Sequence, residues 1–134
     1  MALYPMFANL QGLPVLVVGG GAVATRKVAM LLEAGAEVYV GATRLTRELS
    51  EMVHGNRVKY IRGHFLPDWL DGMWLVIAAT ADRSVNAEIA AHAFQRHVFA
   101  NVVDDAGMSR FQVPAVVQRP PMTVAISTAG AAPA

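Results

Sequence analysis

The stretch VLVVGGGAVATRK, residues 15–27, constrains this chain more than any other. Residues 15–18 are an unbroken apolar run, the pattern of a strand buried on both faces of a sheet. Three glycines follow. Residues 22–34 then read as a helix in which Val23, Val28, Leu31 and Leu32 share one broad face and Gly35 supplies the stop. A strand covered on both faces needs parallel neighbours and helices above and below it. The opening of the chain therefore already selects an α/β architecture.

The rest of the chain keeps that alternation. Residues 37–41 (EVYVG) read as a second strand, and residues 46–53 as a short helix capped by Thr46 and ended by Gly55. Residues 57–61 alternate as a strand, and PDWLDG at 67–72 suggests one helical turn. WLVIAA at 74–79 is the strongest buried-strand pattern, Asp82 can cap a helix running to about Arg96, and VFANVV at 98–103 is a further buried strand. After Asp105 the pattern changes: residues 111–113, 115–118 and 122–127 read as short strands, and the last two, punctuated by RPP at 119–121, can pair as a hairpin although RPP is not a standard two-residue hairpin turn. The expected fold is a Rossmann-like, doubly wound, mostly parallel sheet over residues 1–105, with a short β-rich extension over 106–134. Ligands of such sheets lie beyond the carboxyl ends of the strands. That rule singles out residues 19–24, 42–44, 79–82 and 103–105.

Composition narrows the class. The chain has 134 residues, 54% of them hydrophobic and 16% charged, with a net charge of +1, so it advertises neither disorder nor the basic field of a nucleic-acid binder. There is no cysteine, which removes disulfides and thiolate metal sites and suits a reducing cytoplasm. The amino terminus, MALYPMFANLQG, lacks the pattern of a signal peptide, and no apolar run approaches the ~20 residues of a membrane span.

The first loop carries a motif with a mechanism. Gly19-x-Gly21-x-x-Ala24 fits the dinucleotide fingerprint, with a strand before it and a helix after it. Gly19 permits the tight turn, Gly21 lets the backbone approach a pyrophosphate, and Ala24 lets helix and strand close. The helix start adds free N–H groups and a dipole that favours an anion by ~0.3–1 kcal/mol. The second strand departs from the fingerprint. In place of a ribose-binding acid it offers Thr43, able to bond a ribose hydroxyl, and Arg44, able to face a 2′-phosphate, stack on adenine or stand in solvent. These residues alone leave NAD and NADP both open. Thr80, after the fourth strand, either meets the ribose or nicotinamide side or lines an ordinary loop.

Asp104 and Asp105 fall at the end of the fifth strand. A carboxylate there faces the reacting end of a dinucleotide and can accept a proton, although a turn or cap role fits either residue as well. His54, His64, His92 and His97 form no metal-ligand spacing, and no dedicated metal site is legible. Ser109 has no identifiable base.

Taken together, LYPMFANLQGLPVLVVGGGAVATRKVAMLLEAGAEVYV, WLVIAATADRSVN, NVVDD and FQVPAVVQRPPMTVAISTAG, in that order, resemble the N-terminal domain of the sirohaem synthase family, the precorrin-2 dehydrogenases and sirohydrochlorin ferrochelatases. The resemblance spans nearly the whole chain. It implies NAD-dependent oxidation of precorrin-2 to sirohydrochlorin, with Fe²⁺ in some members as the substrate of a following chelatase step. It implies a tetrapyrrole substrate and a homodimer in the full-length protein, beside the absence of a nucleic-acid or membrane partner and the cytoplasmic setting expected from charge, apolar-run length and cysteine content. By the same resemblance Ala22 and Val23 are cofactor-turn contacts, Thr43 and Arg44 a second contact region, Asp104 the aspartate of dehydrogenation and chelation, and Thr128 the counterpart of a phosphorylatable serine. Arg62, Arg110 and Arg119 gain a task against the carboxylates of the substrate. Two departures stand out. Ala129 replaces a glycine usual in the family, and family members continue beyond residue 134 into dimerising helices. The rival readings are an NAD(H)-binding regulatory module without turnover and an inactive fragment of the enzyme.

Overall fold

The computed structural model describes residues 2–127. Strands β1 (Pro14–Val18), β2 (Glu37–Ala42), β3 (Lys59–Arg62), β4 (Leu75–Ala78) and β5 (Phe99–Val102) form one parallel sheet in the order β3-β2-β1-β4-β5. Helices α1 (Ala22–Glu33), α2 (Arg47–His54) and α3 (Arg83–Gln95) connect them, with a 3-10 turn at Pro67–Leu70. Val18 pairs with Gly41 on one side and Ala78 on the other. The loops after β1, β2 and β4 therefore leave the sheet at the same end, around the central strand where the order reverses.

The unbroken apolar run of β1 is explained by two cores. Val15 and Val17 join Val38 and Val40 beneath Ala24, Val28 and Leu31 of α1 and Leu49 of α2. Leu16 and Val18 face the other way, with Val76, Ala78, Ala100 and Val102, against Ile89 and Ala93 of α3 and Trp69 and Leu70 of the 3-10 turn. Gly41 leaves the space on β2 that the Trp69 indole fills. Each large side chain buried this way contributes ~1.5–3 kcal/mol.

Local signals set the ends of the elements. α1 closes with the paired bonds of a Schellman motif, Gly35 N–H to the Leu32 carbonyl and Ala36 N–H to the Leu31 carbonyl. Thr46 caps α2, its hydroxyl oxygen accepting from Leu49 N–H at 3.2 Å, and Asp82 caps α3 through Ser84 and Val85. The expected element boundaries move by one or two residues, as frayed ends do.

Two expectations change, and the hairpin that the last two runs allow is present. Val23 is half-buried and lies outside the core face of α1, which runs through Ala24, Thr25, Val28 and Leu31. Residues 111–113 are not a strand: Arg110 N–H reaches the Ala100 carbonyl at 2.7 Å and Ser109 Oγ accepts from Val102 N–H at 2.8 Å. A short irregular segment thus covers the outer edge of β5, and Pro114 follows before a ladder can extend. Finally, β6 (Ala115–Arg119) and β7 (Met122–Ile126) do pair antiparallel, in a separate two-stranded sheet. Their two-residue connection, Pro120-Pro121, holds a cis peptide bond, the arrangement of a type VI turn.

Two exposed carboxylates give the fold an acid-side pH dependence. The Ser84 hydroxyl, with the Val85 and Ser84 N–H groups, holds Asp82 below the usual aspartate range. The Lys59 ammonium, 2.8 Å away, and the Tyr39 hydroxyl hold Glu37 below the usual glutamate range. A depressed carboxylate stabilises the fold above its unfolded pKa, and that contribution is lost as pH falls through the folded one. Melting temperature is therefore expected to fall as pH drops below about 4, and less steeply in Asp82→Asn, which caps without a charge. An identical acid limb in the variant would remove Asp82 from the account.

Candidate functional site

Three glycines stand side by side after β1, and the fold explains only two of them. Gly19 has φ +128, and a Cβ there would lie 2.4 Å from the Ala79 carbonyl oxygen. A Cβ on Gly20 would lie 1.8 Å from the Arg44 carbonyl oxygen. Both positions therefore bring backbone against backbone: Gly19 seats the turn on the β4 loop, Gly20 on the β2 loop. Gly21 is different. Its φ is −87, and a Cβ added there meets nothing within 4 Å. Packing does not require glycine at this position. The open space lies at the N-cap of α1, a helix with no side-chain cap and no acidic residue in its first turn. The first N–H groups of the helix are left for an outside acceptor, and the dipole favours an anionic one. A phosphate-sized anion fits this donor set, and bare backbone at residue 21 is what its approach requires. Ala22 is exposed, Val23 half-buried and Ala24 fully buried, so Ala24 does the close packing while Ala22 and Val23 stand at the open head of the helix.

The loop after β2 lies against this turn. Thr46 N–H donates to the Gly20 carbonyl at 2.9 Å. Thr43 and Arg44 are exposed at the strand end. Among the described residues neither side chain has a hydrogen-bond or ion-pair partner. No carboxylate replaces the missing ribose-binding acid at the end of β2.

The loop after β4 is held from below. The buried Asn86 side chain accepts from Thr80 N–H at 3.3 Å and from the Thr80 hydroxyl at 2.6 Å, and donates to the Thr80 carbonyl at 3.1 Å. The Thr80 hydroxyl is also engaged with Asp82, whose carbonyl lies 3.1 Å away and whose N–H donates to Oγ1 at 3.3 Å, so what residue 80 offers a ligand is a fixed backbone. Sequence reading missed Asn86, because its partner is defined by the turn and not by a motif. Asn86→Leu is expected to lower stability by ~1–3 kcal/mol, since the Thr80 amide and carbonyl lose a partner where water has little access. Urea unfolding checks this, and an unchanged midpoint would contradict it.

The two aspartates after β5 separate cleanly. Asp105 is structural: its Oδ1 accepts from Met108 N–H at 3.1 Å, its carbonyl accepts from the Ser109 hydroxyl at 2.7 Å, and its N–H closes a turn onto Val102. Asp104 sits in that turn with φ +60, in the left-handed region that aspartate and asparagine tolerate better than most residues. Its side chain is exposed and without a hydrogen-bond or ion-pair partner among the described residues. Ser109, read as a residue without a base, is a brace for this turn.

The arginines do not converge. Arg62 ends β3, at the sheet edge opposite β5, and so stands across the crevice from Asp104. Arg110 is carried back along β5 and stacks on Phe94, its guanidinium carbon 4.5 Å from the ring centroid. Phe94 lies in the last turn of α3, which leads into the amino end of β5, so Arg110 is directed away from the crevice. Among the described residues Arg119, at the hairpin turn, bonds the neighbouring Gln118 carbonyl. Among the described residues no three His, Asp or Glu side chains gather to hold a metal ion, and no helix is long and apolar enough to cross a membrane. Thr128 and Ala129 lie outside the described residues.

Residues 6–115 match the NAD_binding_7 model, which describes an NAD(P)-binding family. The chain belongs to this NAD(P)-binding family. It is 50% identical, over 133 residues, to siroheme synthase 1 of Yersinia enterocolitica, covering 99% of this chain and 28% of that protein. It is 48% identical to the siroheme synthase of Xylella fastidiosa, again over 28% of that protein's length. The chain thus spans just over a quarter of these curated relatives. Among solved structures it is similar to SirC, a precorrin-2 dehydrogenase, with a TM-score of 0.85 and 30% identity, covering 98% of this chain and 64% of that one. GenD2, solved with NAD, shares the fold alone, at a TM-score of 0.55 and 21% identity.

Proposed function

We propose that this chain is the dinucleotide-binding and dehydrogenating part of a siroheme synthase, oxidising precorrin-2 to sirohydrochlorin with NAD in the cytoplasm. The observation that carries the reading is Gly21, a glycine that packing does not require, at the head of an uncapped helix. The chain's likeness to siroheme synthases and to a precorrin-2 dehydrogenase supports the substrate class.

When bound, NAD supplies the hydride acceptor. The chain's own residues do the rest. N–H groups at the start of α1, from Ala22 and Val23, bind the pyrophosphate, which Gly19, Gly21 and Ala24 allow to approach. Thr43 and Arg44 receive the adenosine ribose, and the fixed backbone at Thr80 receives the other half of the dinucleotide. Asp104, unpartnered at the far side of the crevice, accepts the proton the macrocycle loses as hydride departs. Iron insertion, where the full protein performs it, takes Fe²⁺ as a substrate, and Asp104 is the residue this chain offers to that step. Of the three arginines, Arg62 and Arg119 keep a role toward the substrate carboxylates. The hairpin of Arg119 exposes Val116, Val117, Met122, Val124 and Ile126, and we assign this apolar surface to the homodimer of the full-length protein.

Anaerobic incubation with precorrin-2 and NAD tests the reading. The NADH absorbance band should rise in step with sirohydrochlorin. Saturable NAD binding without turnover would assign the chain instead to a regulatory module or an inactive part. Arg119→Ala should raise the precorrin-2 KM, and unchanged kinetics would release that arginine from the site.

A further inference from the structure

The glycine turn and the β2–α2 loop are tied together by more than contact. The Thr25 hydroxyl, in the first turn of α1 and 6% exposed, donates to the Gly21 carbonyl at 2.8 Å. The Thr25 and Thr46 hydroxyl oxygens are 2.8 Å apart. Thr46 caps α2 through the same oxygen, and its N–H holds the Gly20 carbonyl. One arrangement satisfies every donor: Thr46 O–H donates to Thr25 Oγ1, Thr25 O–H donates to the Gly21 carbonyl, and Thr46 Oγ1 accepts from Leu49 N–H. Two carbonyls of the turn are engaged within the protein, Gly20 by the Thr46 amide and Gly21 by both the amide, at 3.0 Å, and the hydroxyl of Thr25.

The two loops joined this way receive different parts of one ligand. Residues 19–22 face the pyrophosphate, and Thr43 and Arg44 face the adenosine ribose. We infer that Thr25 and Thr46 are positioning residues for the dinucleotide: their paired hydroxyls lock the pyrophosphate turn to the ribose loop, so that the two half-sites are preorganised as one surface. Neither residue touches the ligand. Each acts through the loop it holds, by sparing the ordering that binding would otherwise cost. The inference rests on the dinucleotide reading above, and its test is built to fail separately.

Thr25→Val keeps the shape and β-branching of the side chain and removes the hydroxyl. Thr25→Ser restores the hydroxyl. Titration with NAD and with ADP-ribose, which spans both loops without the nicotinamide, should show Thr25→Val weakened about five- to tenfold, the scale of one neutral hydrogen bond, and Thr25→Ser close to wild type. AMP, which lacks the pyrophosphate, should lose much less. Amide hydrogen exchange in the free protein gives a readout without ligand: residues 20–23 should exchange faster in Thr25→Val and be restored in Thr25→Ser. Equal NAD affinity and equal exchange in wild type and Thr25→Val would overturn the inference. So would a loss of melting temperature with affinity unchanged, since that is a structural role only. Failure of the wild type to bind NAD while exchange responds as expected would overturn the dinucleotide reading and leave the hydroxyl tie standing.

Discussion

Gly21→Val is expected to abolish NAD binding, weakening it more than about a hundredfold, while the protein stays folded. The residue is extended, with φ −87 and ψ −165, a conformation that valine adopts readily. A Cβ there enters open space, so the cost to stability is the change of N-cap alone, about 1 kcal/mol or less. The added isopropyl group would occupy the approach to the α1 N–H groups. The neighbouring glycines should behave in the opposite way. Gly20→Ala sets a Cβ 1.8 Å from the Arg44 carbonyl oxygen, which forces the two loops apart and should lower stability by ~1–3 kcal/mol or more. Comparing melting temperature with NAD affinity across the two variants separates a ligand cradle from a packing turn. Unaltered NAD affinity in folded Gly21→Val would exclude the cradle.

The second large effect concerns the chemistry. Asp104→Asn is expected to lower the rate of precorrin-2 oxidation by ~10²–10⁴, the usual contribution of a positioned general base, with NAD affinity changed less than twofold. Asparagine is the informative replacement because residue 104 has φ +60, which asparagine accepts and alanine resists. Asp104→Gly relieves the same conformation and should be at least as stable as wild type while equally inactive. Loss of activity in both, with thermal stability held, assigns the defect to the carboxylate. Wild-type rates in either would dismiss Asp104 as the base.

Much of this architecture could be read along the chain, and the reasons it could are local. A strand buried on both faces, as β1 is, has no polar alternation to hide. Thr46 and Asp82 cap the helices they precede because capping is decided within three residues. What stayed illegible depends on contacts between distant residues. The fingerprint treats residue 20 as any residue, yet Gly20 makes the tightest approach of the three, against a carbonyl 24 positions away. The Thr25–Thr46 pair spans 21 positions, and nothing in either local sequence announces it. Asp104 and Asp105 are chemically alike in sequence, and only the turn they form frees one and commits the other. Arg110 is withdrawn from a substrate because the chain doubles back along β5, which no local pattern announces. The segment at 111–113 has strand composition, but its backbone has a single edge to bond and a proline immediately after it.

A crystal structure of the protein grown with NAD shows most directly whether a dinucleotide pyrophosphate rests on the turn before α1. The pyrophosphate oxygens are expected within hydrogen-bond distance of the Ala22 and Val23 amides, with the adenosine ribose beside Thr43 and Arg44 and the nicotinamide toward Thr80 and Asp104. Density for the pyrophosphate on any other loop, or NAD bound with the space at Gly21 empty, would contradict this placement.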